Sequence, residues 1–242
     1  MKCRGCGEER KLIKAHIIPR SFYMDLRNTE KFLHVVPSDP SLRVAKSNIG
    51  DYDMGILCHE CDQHLATFDD YGKQVLIDRV YPFEEISREG VVAGWTIQGC
   101  NAMRLEKFIL SILWRASLSN RKFFQEVRLG PYEKVLKEHL WGRESYHKSF
   151  GCVIAKFRDS KRAIGAHKTI LDPHPFRYEG KNYYRLYLGG YVVWVRVDRR
   201  KSSGSIRSCE LSQDRGCIIV SRSFDSSKEF GVIHKGAMTH DR

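Results

Sequence analysis

Two pairs of cysteines carry the clearest chemical signal in this sequence. Two residues separate Cys3 from Cys6, and two separate Cys58 from Cys61. Such a spacer lets a tight turn aim both sulfurs at one point, so two pairs can supply four thiolate ligands to one tetrahedral zinc ion. Four protein ligands leave no position for water, and the predicted zinc is therefore structural. A redox dithiol is the alternative, but it would leave the second pair unexplained.

Further candidate residues lie at short distances along the sequence from the cysteine pairs. The first pair is followed by the run 15–19, AHIIP, the second is preceded by the run 53–57, DMGIL, and Asp62 follows Cys61 directly. Residues 1–75 resemble the HNH family of nucleases in a zinc-stapled treble-clef (ββα-metal) form. That family has a histidine before a short apolar-Pro run, a central Asn five residues ahead of the second pair, and a His or Asn directly after it. By position these are His16, Asp53 and Asp62.

The resemblance implies a metal-dependent endonuclease that hydrolyses phosphodiester bonds in DNA, or else RNA, of a bacterial defence or mobile-element type. His16 would be the base, since an imidazole with a pKa of about 6.5 is largely neutral near pH 7. Asp62 would hold a hard cation, Mg²⁺ or Mn²⁺, which prefers oxygen ligands. Asp53 would orient the loop or add a second ligand, and Arg20 would contact phosphate.

The sequence also departs from the family pattern. Many members carry a metal-binding Asp where this chain has Ala15. The carboxylate of Asp53 could replace it, other acids and histidines lie nearby, and Asn48 is an alternative central residue. The nearby group is Asp51, His59, His64, Asp69 and Asp70. The same departures would suit a non-catalytic zinc module that binds nucleic acid or a partner protein, with His16 as a packing residue and Asp62 as a helix N-terminal acid.

Helices and strands must position these residues. Apolar spacing predicts a helix from the second cysteine pair onward. The apolar run 101–118 predicts a buried helix. Arg115 within that run is either a buried, paired cation or a contact to phosphate. A further helix is predicted at 131–140. Strands are predicted at 91–97, 151–157, 181–198 with a turn at Gly189-Gly190, and 216–224.

The predicted fold class is α+β. An N-terminal zinc-bound, treble-clef (ββα-metal-like) module at 1–80 would carry the nuclease site. The segment 81–100, which is rich in Gly, would be a linker or boundary. Residues 101–242 would form a helical and then small β-sheet domain for substrate or partner binding. The remaining cysteines are expected only to pack: Cys100, Cys152, Cys209 and Cys217.

Charge points to an anionic partner. The chain has a formal net charge of +12, and residues 101–242 carry 28 Lys and Arg against 14 Asp and Glu. This excess favours nucleic acid, DNA ahead of RNA, with a protein partner as the alternative. No apolar stretch approaches the roughly 18–20 residues that cross a bilayer, and no apolar signal core opens the chain. We therefore expect a cytoplasmic protein without a membrane partner.

Overall fold

The structure is a computed structural model that describes residues 1–27, 33–36, 45–47, 52–142, 145–158, 169–223 and 227. Asn48 and Asp51, two of the alternative site residues, lie outside the described residues. The described elements mix helices with sheets, so the predicted α+β class is confirmed. None of the helices in these ranges is long and apolar enough to span a bilayer.

The N-terminal region combines very short strands with one long helix. Strand β1, Ala15–His16, pairs antiparallel with β4, Tyr52–Asp53, so that Ala15 faces Asp53 and His16 faces Tyr52. Helix α1, Arg20–Arg27, follows β1 directly, and helix α2, His59–Leu76, follows the second cysteine pair. Strands β2, Leu33–Val36, β3, Ala45–Ser47, and β8, Thr169–Leu171, form a separate three-stranded sheet.

Two further helices fill the centre. Helix α3, Ala102–Leu118, is buried along most of its length, as its apolar sequence predicts, and the side chain of Asn101 caps it by accepting a hydrogen bond from the backbone of Arg104 at 3.0 Å. Helix α4, Tyr132–Trp141, begins after Pro131. Helices α2 and α3 approach closely at Gly72, where an added Cβ would lie 2.4 Å from the Phe108 ring.

A seven-stranded sheet forms the C-terminal part. Its strands are β5, Phe83–Arg88, β6, Val91–Ile97, β7, Phe150–Phe157, β9, His174–Tyr178, β10, Lys181–Leu188, β11, Tyr191–Val197, and β12, Cys217–Arg222. Their order is β5-β6-β12-β7-β11-β10-β9, and every pair is antiparallel except β12 with β7. The predicted turn at Gly189-Gly190 is confirmed, and both glycines have positive φ angles.

One hydrophobic core runs from Cys3 in the N-terminal region to Ile219 in β12, and α3 lies between the two regions. The segment 81–100, which the sequence suggested as a boundary, supplies the edge strand β5 and its neighbour β6 in the sheet. The division into domains stays a prediction.

A disulfide joins two of the scattered cysteines. Cys100 pairs with Cys217, with 6.1 Å between their Cα atoms, whereas Cys152 is a buried free thiol and Cys209 is half-buried. The bond ties the N-terminal end of α3 to the start of β12. Because such bonds are uncommon in the reducing cytosol, the cytoplasmic location stays a prediction.

Candidate functional site

The four paired cysteines come together in space. The Sγ atoms of Cys3, Cys6, Cys58 and Cys61 all lie within 4.8 Å of one another. A zinc ion at about 2.3 Å from each of four sulfurs would hold them roughly 3.8 Å apart in a tetrahedron. The cluster is therefore close to the required geometry, and the predicted set of zinc ligands is confirmed as a group that could hold the ion.

Backbone contacts fix the first cysteine knuckle against the second. The Cys58 N–H donates to the Cys3 Sγ at 3.3 Å, and the Arg4 N–H donates to the Ile56 carbonyl at 2.9 Å. Gly5 lies between the first two ligands, where a Cβ would be 2.6 Å from the Cys61 Sγ. Only a residue without a side chain lets the turn approach this sulfur so closely.

The electrostatics of the cluster also suit a cation. Burial raises the pKa of the Cys3 thiol, but hydrogen bonds from the backbone of Cys58, Cys6 and Gly5 outweigh it and leave the pKa at about 7. Burial, followed by the neighbouring sulfurs of Cys58 and Cys3, raises the pKa of Cys61 above its usual range. Four thiolates this close would repel one another, which a bound cation would relieve, and soft sulfur ligands favour zinc over Mg²⁺ or Ca²⁺.

His16 lies on the two-stranded ribbon beside the cluster. Its side chain is half-buried, and its ring centroid is 6.2 Å from that of Tyr52 on the opposite strand. Its backbone carbonyl accepts a hydrogen bond from the Arg115 Nη1 at 3.0 Å. Helix α3 therefore contacts the main chain of the ribbon at the residue that the sequence selects as the base.

Arg115 also forms a buried, two-pronged ion pair with Asp69 of α2. Its Nη1 and Nη2 donate to the two Asp69 oxygens at 2.8 and 2.6 Å, and its side chain is 2% exposed. Burial raises the pKa of Asp69, while Arg115 and then the charge of His16 act to lower it. Of the two interpretations of Arg115, the buried paired cation is confirmed.

Asp62 lies two helical turns before Asp69 on the same side of α2. Its side chain is half-buried, and burial raises the pKa of its carboxyl; Arg115 lowers that pKa and Asp69 raises it. These influences place Asp62 in the same electrostatic neighbourhood as the ion pair. Its role as a cation ligand stays a prediction.

Both carboxylate oxygens of Asp53 accept hydrogen bonds from protein donors. Its Oδ1 accepts from the Gly55 N–H at 2.8 Å, and its Oδ2 accepts from the Ser119 hydroxyl and the Asn120 N–H, each at 3.2 Å. These bonds attach β4 to the C-terminal end of α3. The contacts are those of a residue that orients the loop, which is one of its two predicted roles.

Two cationic side chains lie near Tyr52 on the ribbon. The Lys14 Nζ lies 3.7 Å from the centroid of the Tyr52 ring. The guanidinium of Arg121, which belongs to the segment after α3, lies 5.2 Å from the same centroid. The Arg121 Nε also donates to the Tyr52 carbonyl at 3.0 Å. Sequence reasoning missed Arg121, since nothing local in the run after α3 indicates that it returns to residue 52.

The other histidines and Arg20 occupy different settings. His64 contacts the Leu140 carbonyl through its Nε2 at 3.1 Å and stacks on Trp141 with ring centroids 5.1 Å apart, so it packs α2 against α4. His59 is exposed at the start of α2, and Arg20 is exposed at the start of α1. Asp62 directly follows Cys61 of the cluster, whereas His16 is linked to α2 through Arg115, which bonds both the His16 carbonyl and Asp69.

Comparison of this chain with protein-family models, with curated proteins and with solved structures finds no match.

Proposed function

We propose that this chain is a metal-dependent endonuclease of the HNH type, built on a zinc-stapled treble clef, that hydrolyses phosphodiester bonds in DNA or, as a second substrate, RNA. One observation carries the proposal. The ribbon with His16 and the helix with Asp62 are fastened to each other by Arg115, which bonds the His16 carbonyl and Asp69 together. A base and a cation ligand would thus be held on adjacent, fixed elements.

The roles follow from the chemistry of each side chain. The His16 imidazole would take the proton from the attacking water, and the zinc would hold the fold without touching substrate. A divalent cation, when bound, would neutralise charge on the scissile phosphate and the leaving oxygen.

Few carboxylates near His16 remain available to bind such a cation. Asp53 and Asp69 bond their oxygens to protein donors, and Ala15 offers no ligand, so Asp62 would be the protein anchor, with the exposed Asp70 as the alternative. Mg²⁺ is commonly held by one or two carboxylates together with water and substrate phosphate. A single carboxylate is therefore enough once substrate is bound, and Lys14 and Arg121 are placed to attract that substrate.

The decisive experiment is plasmid nicking by His16→Ala protein in Mg²⁺ or Mn²⁺. Loss of a general base should lower the rate by about 10²–10⁴-fold, while zinc content and thermal midpoint stay near those of the wild type. His59→Ala is the matched control, because His59 is exposed at the start of α2 and should keep full activity. If His16→Ala melts the protein without a specific kinetic effect, His16 is a packing residue. Activity that follows His59 would move the base there.

Asp62→Asn tests the cation. Replacing the carboxylate by an amide of the same shape should raise the Mg²⁺ concentration needed for half-maximal cleavage, because the carboxylates of Asp53 and Asp69 are already bonded to protein donors. An unchanged Mg²⁺ dependence would remove Asp62 from the site.

The second candidate is a non-catalytic zinc module that binds nucleic acid or a protein. The replacement of the usual acid by Ala15 and the bonds that occupy Asp53 and Asp69 favour it. A zinc-loaded wild type that is inert with every metal and substrate, yet binds nucleic acid, would support this candidate over the nuclease.

A further inference from the structure

A cavity of about 560 Å³ lies beside the edge of the seven-stranded sheet, between the loop 128–132 and strands β9 and β10. Its volume falls within the roughly 300–1,000 Å³ that is usual for small-molecule sites. The wall combines flat rings with polar and cationic groups, namely Tyr132, Phe176 and Tyr184 with Arg128, Arg177 and Asn182. Aromatic rings stack on bases, and guanidinium groups bind phosphate.

The wall of this cavity is fixed in place. The Tyr184 hydroxyl donates to the Arg128 carbonyl at 2.6 Å and accepts from the Arg128 N–H at 3.1 Å, so the loop is fastened to β10. These bonds use the main chain of Arg128 and leave its exposed side chain unconstrained by them. The site is therefore preformed, with a cation at its mouth.

A second, more polar cavity of about 270 Å³ adjoins the first. Arg128 lines both, and Arg121 lies in the wall of the smaller one. Arg121 in turn bonds the Tyr52 carbonyl on the ribbon, directly across from His16. Arg121, Arg128 and Arg177 thus mark a path from the ribbon, through the two cavities that share Arg128, to the larger cavity.

The three arginines along this path are available to an anion. In the described part of the chain none of them forms an ion pair, whereas Arg200 on a neighbouring turn pairs with Asp198 at 2.7 Å. Among the residues that the structure describes, Arg177 makes one long contact, 3.5 Å from its Nη2 to the Gly180 carbonyl. Side chains that are exposed, cationic and unneutralised match a phosphate backbone.

We infer that this path binds a single-stranded segment of nucleic acid, with phosphates at Arg121, Arg128 and Arg177 and one base in the larger cavity. The inference rests on the proposed function for the class of substrate. A single strand fits because its bases can turn outward and stack on aromatic side chains, whereas the bases of a duplex are already stacked on each other.

The test is fluorescence anisotropy of a labelled oligothymidylate with the full-length, zinc-loaded chain and no added Mg²⁺, so that binding is measured without cleavage. Arg177→Ala and Arg128→Ala should each weaken binding about 5- to 10-fold and lower the slope of log K against log salt by roughly 0.7–1. Arg88→Ala is the matched control. Arg88 is also an exposed arginine on an edge strand, but on β5 at the opposite edge of the sheet, and its loss should change affinity less than 2-fold.

A second pair of variants tests the base site. Tyr132→Leu should weaken binding roughly 10-fold by removing a stacking surface, while Tyr132→Phe should bind like the wild type. Thermal midpoints of all variants guard against unfolding. A duplex of the same sequence should compete at least 10-fold less well than the single strand, and equal competition would overturn the base site.

The inference and the proposed function fail separately. If Arg177→Ala and Arg88→Ala bind alike, or if the wild type binds no oligonucleotide, the path is overturned even where plasmid nicking is observed. If binding depends on Arg177 and Arg128 but no metal supports cleavage, the path stands and the nuclease proposal falls.

Discussion

The N-terminal region and the seven-stranded sheet are held together by different forces. In the N-terminal region, strands β1 and β4 have two residues each, and four cysteines cluster in space. The sheet has strands of five to eight residues, and many of their side chains join those of α3 in the hydrophobic core. Both regions share the hydrophobic core, but the first has few strand pairs and would depend on a metal at its cysteines, whereas strand pairing and apolar packing hold the second.

Loss of the metal should give the largest difference in stability between the two regions. Cys58→Ser should abolish zinc binding and unfold the N-terminal region, because structural zinc in isolated fingers is worth about 10–16 kcal/mol of apparent binding free energy. The sheet should keep its protease protection. Limited proteolysis with metal analysis measures both, and Cys209→Ser, outside the cluster, is the control. A zinc-free protein whose N-terminal protection is unchanged would refute this prediction.

Breaking the buried ion pair between Arg115 and Asp69 should give the next largest loss of stability. Arg115→Met leaves Asp69 buried without its partner, and breaking a buried pair in this way costs roughly 3–5 kcal/mol. Denaturant unfolding measures the loss. Asp69→Leu combined with Arg115→Met should recover much of the stability, since both charges are then gone. A single variant within about 1 kcal/mol of the wild type would show that the pair contributes little.

The two regions should also respond oppositely to pH. Acid protonates thiolates and so favours zinc release from the N-terminal region. Beneath the sheet, burial and the charge of Glu210 raise the pKa of Glu106 to about 8. In the folded state this carboxyl therefore keeps its proton at pH values where the unfolded chain has lost it.

The free energy of unfolding contributed by Glu106 is fully present below a pH of about 4.5 and falls as the pH rises toward 8, by at most about 1.4 kcal/mol per pH unit. Glu106→Gln should remove this decline, so the difference between wild type and variant should change with pH. His139, whose pKa burial lowers to about 4, has the opposite dependence but is present in both proteins and cancels. A constant difference between pH 5 and 8 would contradict the prediction.

Packing between α2 and α3 should give the smallest effect. Gly72→Ala places a methyl group 2.4 Å from the Phe108 ring, and overpacking of this kind costs about 1–3 kcal/mol. Gly204→Ala is the control, since a Cβ there meets nothing within 4 Å among the described residues. Thermal unfolding of both variants compares them. Equal midpoints would mean that the helices shift apart without cost.

The sequence predicted the features that depend on local spacing. The two cysteine pairs, helices α2, α3 and α4, and the hairpin of β10 and β11 all follow from patterns within a few residues. Strand β5 was missed because its residues are mostly exposed and polar. The Arg115 pair and the return of Arg121 to Tyr52 join residues 46 and 69 positions apart, and no local pattern specifies such partners.

The position of β12 has a consequence for how the chain is made. This strand is near the end of the described sequence, yet it lies between β6 and β7 in the middle of the sheet. A ribosome delivers the N-terminus first, so the four cysteines can gather around a metal early in synthesis. Until residues 217–222 emerge, the sheet stays in two parts, and the facing edges of β6 and β7 are open to pairing with other chains. The nascent chain is therefore vulnerable to aggregation in the interval after β6 and β7 have emerged and before β12 has.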